Sequence, residues 1–232
     1  MALILSATIT YLAYRYQFTF NVDLTLLSIA IIFPLVFTIR GSFRRREKAL
    51  EHLSEFRSAL KTLKYFFLSS NNLTDENKAE IKAIVIEINN KVLEHLHSNS
   101  ESTKDLDETI NKVYLFILEK DEFLSRSLRD KLFRFMKDVH ECVENLHAIH
   151  MHRTPISLKA YCELFIYVFP VVYAPTVIHN IGEGSAPWVS FLIILLTEFI
   201  LISLYNIQNH LEYPFDNIGL DDIHLDIFKI ER

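Results

Sequence analysis

The pattern of hydrophobic and polar positions divides the chain into two apolar blocks separated by a polar block. Residues 1–39 contain only two charged side chains, Arg15 and Asp23, and residues 161–211 contain three carboxylates but no lysine or arginine. Residues 40–159 carry 21 of the 24 basic residues and 19 of the 29 acidic ones. Because an ionised side chain in hydrocarbon is costly, this sorting predicts two membrane-embedded blocks around a water-exposed block.

Each apolar block is long enough for two membrane-spanning helices, since one span needs about 20 apolar residues. In the first block we predict spans over Ala2–Phe20 and Leu24–Ile39. A cluster of helix-breaking residues at Asn180–Pro187 divides the second block. We therefore predict two further spans, over Leu158–His179 and Trp188–Tyr205.

The polar block repeats apolar residues at three- and four-residue steps, which is typical of helices, and nowhere alternates for long with period two. Four such stripes are readable: Leu50–Phe67, Ile81–Leu96, Ile110–Ile117 and Leu128–Leu146. We expect the first stripe to continue the second span without a break and to end at Ser69–Asn72. The sequence thus predicts an all-α membrane protein with four transmembrane helices and a cytoplasmic helical bundle.

Basic residues flank the apolar blocks on the side of the polar block, and cytoplasmic loops are the ones that collect Lys and Arg. We therefore expect a multi-pass protein of the cell membrane, the inner membrane in a Gram-negative bacterium, with both termini in the cytoplasm. The expected parts are transmembrane helices 1 and 2 in 1–39, a cytoplasmic helical region in 40–157, transmembrane helices 3 and 4 in 158–208, and an acidic cytoplasmic segment in 209–232.

Composition removes several classes of function. The net charge of −5 gives the chain no general attraction to nucleic acid, and two cysteines cannot build a disulfide scaffold. The sequence has no Gly-rich phosphate loop and no nucleophile elbow, so we predict no enzyme activity and assign no catalytic residue.

A histidine-rich stretch leaves one metal hypothesis open. His147 and His150 are three residues apart on a predicted helix, so they share a face and could bind a metal. The stretch lacks an HExxH motif and the repeated histidine boxes of membrane di-iron enzymes, so polar histidines near a helix end are the favoured interpretation. The full group is His140, Cys142, His147, His150 and His152.

Glu198 is the one charged residue of the apolar segment Val189–Leu204. An ionisable residue inside a span is a functional candidate by default. Three interpretations stay open: Glu198 faces a water-filled cavity, pairs with another subunit, or stays protonated.

Three short stretches carry a family resemblance. Thr154-Pro155-Ile156-Ser157 leads into an aromatic-rich span, and Ile29–Ile39 is an aliphatic segment that ends in Arg40-Gly41-Ser42. After the last span, Glu212-Tyr213-Pro214-Phe215-Asp216 is followed by the acidic segment Leu220–Leu225. In order and spacing these stretches resemble the bestrophin family. Tyr213 and Asp216 depart from it, since bestrophins usually have Asn or Asp at the first position and Gly at the second.

The resemblance implies a homopentameric ion channel whose axial pore is lined by the second span. It places the pore neck at Ile31, Leu35 and Ile39, or on an alternative face at Phe33 and Phe37. An apolar neck can gate by dewetting and favours ions that shed water easily, so we expect chloride or other small anions to pass. A cation-selective channel of the same fold, a non-conducting membrane scaffold and a His-dependent membrane metalloenzyme are the alternatives.

Animal bestrophins hold calcium with a clasp that includes the acidic run after the last span. The matching carboxylates here, which could supply oxygen ligands, are Asp216, Asp221, Asp222 and Asp226. We expect no other cofactor. The expected partners are further copies of the chain, the lipid bilayer and small ions.

Overall fold

The computed structural model describes residues 1–98, 100–181 and 186–231. Within these ranges the chain forms seven α-helices and two short 3₁₀ turns and contains no β-strand, which confirms the all-α prediction. The helices are α1 (Ala2–Arg15), α2 (Thr25–Leu68), α3 (Asp75–His97), α4 (Lys104–Glu119), α5 (Arg126–Met151), α6 (Ile156–Ile181) and α7 (Pro187–Glu212). The 3₁₀ turns are Asp121–Phe123 and Leu225–Phe228.

The chain divides into two compact units. The first, here the apolar unit, comprises residues 1–44 and 154–212, which hold α1, the start of α2, α6 and α7. The second, here the polar unit, comprises residues 45–153 and the segment that follows Glu212. It contains the rest of α2 together with α3, α4 and α5.

Helix α2 is a single helix of 44 residues that contributes to both units. This confirms the prediction that the second apolar segment continues into the polar block without a break. The helix ends at Leu68, directly before the polar residues Ser69–Asn72, as the sequence indicates.

Helix α1 is shorter than the predicted span Ala2–Phe20, because it ends at Arg15. Gln17 has a left-handed φ of 53°, and the Phe18 N–H donates back to the Ala13 carbonyl at 3.0 Å. A left-handed residue with such a backward bond is a common way for a helix to end. Fourteen residues give a helix of about 21 Å, which is less than the roughly 30 Å of a bilayer core.

Three helical stretches among the described residues are long and apolar enough to cross a membrane: α2, Arg126–Ile181 and α7. In the second stretch the apolar residues lie in α6, since α5 carries charged side chains along its length. These helices indicate a membrane protein. The predicted spans Leu158–His179 and Trp188–Tyr205 fall inside α6 and α7, whereas a span at α1 stays a prediction. Residues 182–185 of the predicted loop Asn180–Pro187 lie outside the described residues.

In the apolar unit, α1 packs against α6 and α7 through small side chains at three- and four-residue steps. These buried residues are Ala2, Ser6, Thr10 and Ala13. Small residues let helices approach closely, which is how helices gain packing energy in lipid, where the hydrophobic effect gives little. The Tyr14 hydroxyl also bonds to Ser190 Oγ at 2.8 Å, and its ring stacks on Phe191.

The polar unit has one hydrophobic core to which every one of its helices contributes. The stripes predicted from the sequence supply it, including Phe56 and Phe67 of α2, Ile88 of α3, Ile110 of α4 and Val139 of α5. The C-terminal segment covers the same core with Phe215, Ile223, Leu225 and Phe228. Burial of these side chains holds the bundle together at roughly 25 cal/mol per Å² of apolar surface.

Side-chain hydrogen bonds fix the ends of this bundle. Thr74 caps α3 by accepting from the Asn77 N–H, and Ser125 caps α5 by accepting from the Leu128 N–H. Asn89, which is buried in α3, donates to the Phe228 carbonyl and accepts from the Ile230 N–H, at 3.2 and 3.0 Å. The C-terminal segment is therefore an integral part of the polar unit.

Candidate functional site

One face of α2 is apolar and exposed along the part of the helix that lies in the apolar unit. Ile29, Phe33 and Phe37 follow each other at four-residue steps and are 45%, 56% and 61% exposed. The rings of Phe33 and Phe37 lie 6.1 Å apart. Four-residue spacing puts side chains on one face of a helix, so these three form a single stripe, here the phenylalanine face.

The same face becomes basic directly after its last aromatic residue. Arg40 and Arg44 continue the stripe at the next helical steps, and both side chains are exposed. Neither makes an ion pair or a hydrogen bond with any residue that the structure describes. The face therefore presents an apolar stretch followed by guanidinium groups that are free to meet an external anion.

The predicted neck residues Ile31 and Leu35 lie on the other side of α2. They are only 3% and 1% exposed, and they belong to a hydrophobic cluster with Cys162, Ile166 and Leu201 of α6 and α7. Ile39 is half-buried and packs against the same cluster. Of the two faces that the sequence analysis considered for the neck, the exposed one is therefore the alternative face, Phe33 and Phe37.

Pro34 couples α2 to α6 in the middle of this region. Proline has no N–H, so the carbonyl of Ala30, four residues earlier, loses its partner within the helix. The Tyr161 hydroxyl donates to this carbonyl at 3.2 Å. A side chain of a neighbouring helix thus satisfies the freed carbonyl, which is the usual way for proline to be accommodated in membrane helices.

Two of the stretches that resemble bestrophins, the one that begins at Thr154 and the one that begins at Glu212, meet at the Glu212 side chain, which is 3% exposed. Its carboxylate accepts from the Thr154 backbone N–H at 3.1 Å, from Lys159 Nζ at 3.2 Å and from Gln208 Nε2 at 3.1 Å. The first residue of the Glu-Tyr-Pro-Phe stretch therefore fastens the end of α7 to the residues that begin α6. Sequence reasoning singled out both motifs but did not place them in contact.

Tyr213, which stands where bestrophins usually have Asn or Asp, contacts Arg153. The Arg153 guanidinium lies over the Tyr213 ring, with 4.2 Å between its carbon and the ring centroid. This is a cation–π contact, which a shorter Asn or Asp side chain could not make.

The four candidate calcium ligands do not converge on one point. Asp216 and Asp222 share a loop, where Asp222 accepts from the Gly219 N–H at 3.0 Å. The Asp222 pKa is raised, mainly by burial and also by the neighbouring Asp216. Asp221 is exposed, and Asp226 is exposed and paired with Lys229. No group of three or more metal-binding side chains occurs in the described parts of the chain. Calcium binding stays a prediction.

The histidine group is split by the structure, and two of its members, His147 and His150, have partners that the sequence did not suggest. His147 Nδ1 lies 3.0 Å from Nε2 of His95 in α3, and His150 Nε2 lies 2.9 Å from the Ser98 carbonyl oxygen. Burial lowers the pKa of both His95 and His150. His140 and His152 stand apart from this contact, which links α3 to α5.

Cys142 lies in a groove between α2 and α5, not with the histidines. Its Sγ is 3.9 Å from the Glu55 carboxylate, which also bonds to His52. Burial, together with the carboxylates of Glu55 and Asp138, raises the Cys142 pKa to about 11. The thiol is therefore neutral at physiological pH, which does not suit a metal ligand.

Comparison with known proteins identifies the fold. No protein-family model matches the sequence, and no curated protein matches it. Solved structures do match. A mutant of a bacterial bestrophin homolog from Klebsiella pneumoniae has a TM-score of 0.84 at 14% identity, and the match covers 98% of this chain and 93% of that chain. The chain has the bestrophin fold.

Two further solved structures match the chain to a similar extent. A crystal structure of the Klebsiella pneumoniae homolog phased on zinc has a TM-score of 0.82 at 15% identity, and one described as a membrane protein has 0.84 at 13% identity. Both matches cover 98% of this chain. Identity this low explains why only short stretches of the sequence resemble bestrophins.

Proposed function

We propose that the chain is a bestrophin-like ion channel, assembled as a homopentamer around an axial pore. The observation that carries this proposal is the phenylalanine face of α2, which is exposed on a single chain that has the bestrophin fold. A closed ring of identical subunits can bring one such face from each chain to a common axis. In such a ring the apolar face that is exposed on a single chain would be turned towards the pore axis.

We propose that Ile29, Phe33 and Phe37 line the neck of this pore. A constriction of apolar side chains offers no fixed charge and few hydrogen bonds, so it can gate by losing its water. The proposal takes the alternative face from the sequence analysis, because Ile31 and Leu35 are occupied in packing against α6 and α7.

The proposed selectivity is for anions such as chloride. At 1.5 Å per residue, Arg40 follows Phe37 by about 4.5 Å along α2, and Arg44 by about 10 Å. In a ring of five subunits these side chains would give up to ten positive charges at one mouth of the neck. Focused positive potential raises the local concentration of anions and lowers that of cations.

The proposed location is the cell membrane, with the polar unit and both termini in the cytoplasm. The basic residues Arg40–Lys48 follow the apolar part of α2, and Arg153 and Lys159 precede the apolar part of α6. Both flanks agree with the positive-inside rule. A tagged terminus that is digested from the outside of intact cells would contradict this orientation.

The neck is tested by a matched set of alanine variants in planar bilayers. Phe33→Ala and Phe37→Ala should raise single-channel conductance, because they widen an apolar constriction. Leu35→Ala is the control, since it removes a buried side chain and should lower stability without a comparable gain in conductance. If Leu35→Ala raises the conductance and the two phenylalanine variants do not, the neck is formed by Ile31, Leu35 and Ile39 instead.

Cysteine accessibility gives a second test of the same face. Phe37→Cys should react with a charged thiol reagent and block the current, whereas Leu35→Cys should not. The two native cysteines are both buried, so they give a low background. Equal protection of both introduced cysteines would contradict a water-accessible phenylalanine face.

Anion selectivity is tested by removing the charges beyond the neck. Arg40→Gln combined with Arg44→Gln should move the reversal potential away from the chloride equilibrium potential, while lysine at both positions should preserve it. Lys137→Gln is the control, because Lys137 is an exposed basic residue of α5. An unchanged reversal potential in the double glutamine variant would mean that these guanidinium groups serve another anion, such as a lipid phosphate.

A further inference from the structure

Glu198 is buried in the packing of the apolar unit, on the same face of α7 as Ser190, Ile194 and Leu201. Its side chain is 1% exposed, and neither carboxylate oxygen has a hydrogen-bond partner in the described part of the chain. This rules out one earlier interpretation, since a residue buried within its own chain cannot pair with another subunit. The neck proposed above does not use it either.

A second unpartnered polar group lies at the same level. Tyr14 of α1 bonds to Ser190 of α7, while Ile9 packs in one cluster with Ile194, and Ala2 belongs to one cluster with Leu201. Residue numbers thus rise in α1 as they fall in α7, so the two helices run antiparallel. By this register Ser6 falls opposite Glu198, and Ser6 Oγ is also fully buried without a partner.

The helices that pack around Glu198 bring no positive charge to it. The charged groups of α1 are the amino group of the exposed Met1, five positions before Ser6 and about 7.5 Å along the helix, and Arg15, nine positions beyond Ser6 and about 13 Å along the helix. In α6, Lys159 is held by Glu212, which is fourteen residues from Glu198 along α7, or about 21 Å. On α2, Arg40 follows the segment that packs in this unit and is exposed.

The remaining titratable groups of these helices have other partners or lie at other levels. Glu163 of α6 accepts from the Tyr205 hydroxyl, seven residues beyond Glu198, and Tyr173 bonds to Thr197. Cys162 belongs to the cluster around Leu201, one turn away from Glu198. His179 is near the end of α6, and His210 is twelve residues further along α7.

Two backbone carbonyls of α6 that lack their usual hydrogen bond within the helix lie nearby. Pro170 and Pro175 lack the N–H that would bond to the carbonyls of Ile166 and Val171, four residues earlier. The pairs Glu163–Tyr205 and Ala174–Ile194 place this part of α6 level with Glu198. No described group donates a hydrogen bond to the Glu198 carboxylate, and a carbonyl oxygen can accept from a carboxylic acid but offers nothing to a carboxylate.

We propose that Glu198 is a proton-binding site within the α1–α6–α7 packing and is held as a neutral carboxylic acid. An ionised carboxylate without a cation or a hydrogen-bond donor would be strongly unfavourable here, whereas the neutral acid carries no charge that needs a partner. Loss of this proton at alkaline pH would place an uncompensated charge between three helices and loosen the unit. The proposal needs only the packing of the apolar unit and does not depend on ion conduction.

Infrared spectroscopy of the purified protein tests this directly. Wild type should show the C=O stretch of a protonated carboxylic acid at about pH 7, where ordinary carboxyl groups are ionised. Glu198→Gln should remove that band, because glutamine has the same shape but no acid proton, while Glu163→Gln should leave it unchanged. A spectrum in which Glu198→Gln removes no acid band would overturn the proposal.

Thermal melting gives an independent measurement. Between the ordinary glutamate pKa of about 4.3 and neutral pH, only the unfolded chain releases this proton. The melting temperature of wild type relative to that of Glu198→Gln should therefore fall as pH rises over that range. Glu198→Asp should keep the pH dependence, which guards against a glutamine variant that fails to fold. A melting temperature that instead rises with sodium concentration, with no acid band, would show that a cation occupies the site and would overturn the proposal.

Discussion

Glu212→Ala is the substitution that should weaken the apolar unit most. It removes the buried carboxylate that holds the start of α6 to the end of α7. The variant removes the acceptor of the Thr154 N–H and of the Gln208 amide, and it removes the ion pair between Glu212 and Lys159.

The size of the effect follows from the burial of the pair. Removing one partner of a buried ion pair costs about 3–5 kcal/mol. The Lys159 side chain is 28% exposed, so water can partly solvate it after the change, which favours the lower end of about 3 kcal/mol. For a chain of this size that corresponds to a fall in melting temperature of roughly 6–12 °C.

The assay is loss of helical circular dichroism on heating in detergent, with two companion variants. Glu212→Gln keeps an acceptor for the Thr154 N–H but loses the charge that faces Lys159, so it should melt between wild type and the alanine variant. Glu163→Ala is the control, since Glu163 is an exposed carboxylate of α6 and should change stability by about 0.5 kcal/mol or less. If Glu212→Ala and Glu163→Ala melt together, Glu212 does not fasten the two helices.

Three further predictions concern titratable groups of the polar unit. Burial lowers the pKa of His95 and His150, so their contribution to stability is present above the ordinary histidine pKa and is lost as pH falls. The melting temperature should therefore drop between about pH 7.5 and about pH 5.5, and His95→Gln should make this drop smaller. The raised pKa of the buried Cys142 predicts slow reaction with a thiol reagent at neutral pH, with full reactivity only after denaturation. Burial and Asp216 raise the pKa of Asp222, so its contribution to stability is lost as pH rises through that pKa, and Asp222→Asn should raise the melting temperature at neutral pH.

The sequence was sufficient for the parts of the fold that depend on local pattern. Three- and four-residue steps of apolar side chains predicted the helices of the polar unit, because each helix has one buried face and one exposed face. The long apolar segments of α6 and α7 contain few charged residues and were readable as candidate spans from length and composition.

The end of α1 was harder to predict. Nothing in the apolar pattern marks Arg15 as its last residue, because the left-handed conformation of Gln17 that ends the helix carries no strong sequence signal in a non-glycine residue. The expected span therefore ran five residues too far.

The exposed face of α2 could not be read from the sequence either. Both Ile31 and Phe33 are apolar, and the choice between them depends on which side α6 and α7 cover. That in turn depends on contacts between residues more than 120 positions apart, such as Leu35 with Cys162. Four-residue spacing from Phe33 could have suggested Ile29 as a further member of the exposed face.

Long-range polar contacts were likewise out of reach. Glu212 and Thr154 stood in separate motifs, and no periodic pattern connects them. The His95–His147 contact joins two helices that are 52 residues apart in the chain, and the sequence stretch around His147 gave no indication of His95. A single sequence shows which residues can bond but not which distant partner they meet.

The reversal potential of the purified, reconstituted protein in planar bilayers under a potassium chloride gradient tests the account most directly. The bestrophin fold, the exposed phenylalanine face and the unpaired arginines predict a current that reverses near the chloride equilibrium potential. Bilayers that contain correctly assembled protein but carry no current above that of empty membranes would contradict the channel, and reversal near the potassium equilibrium potential would contradict its selectivity for anions.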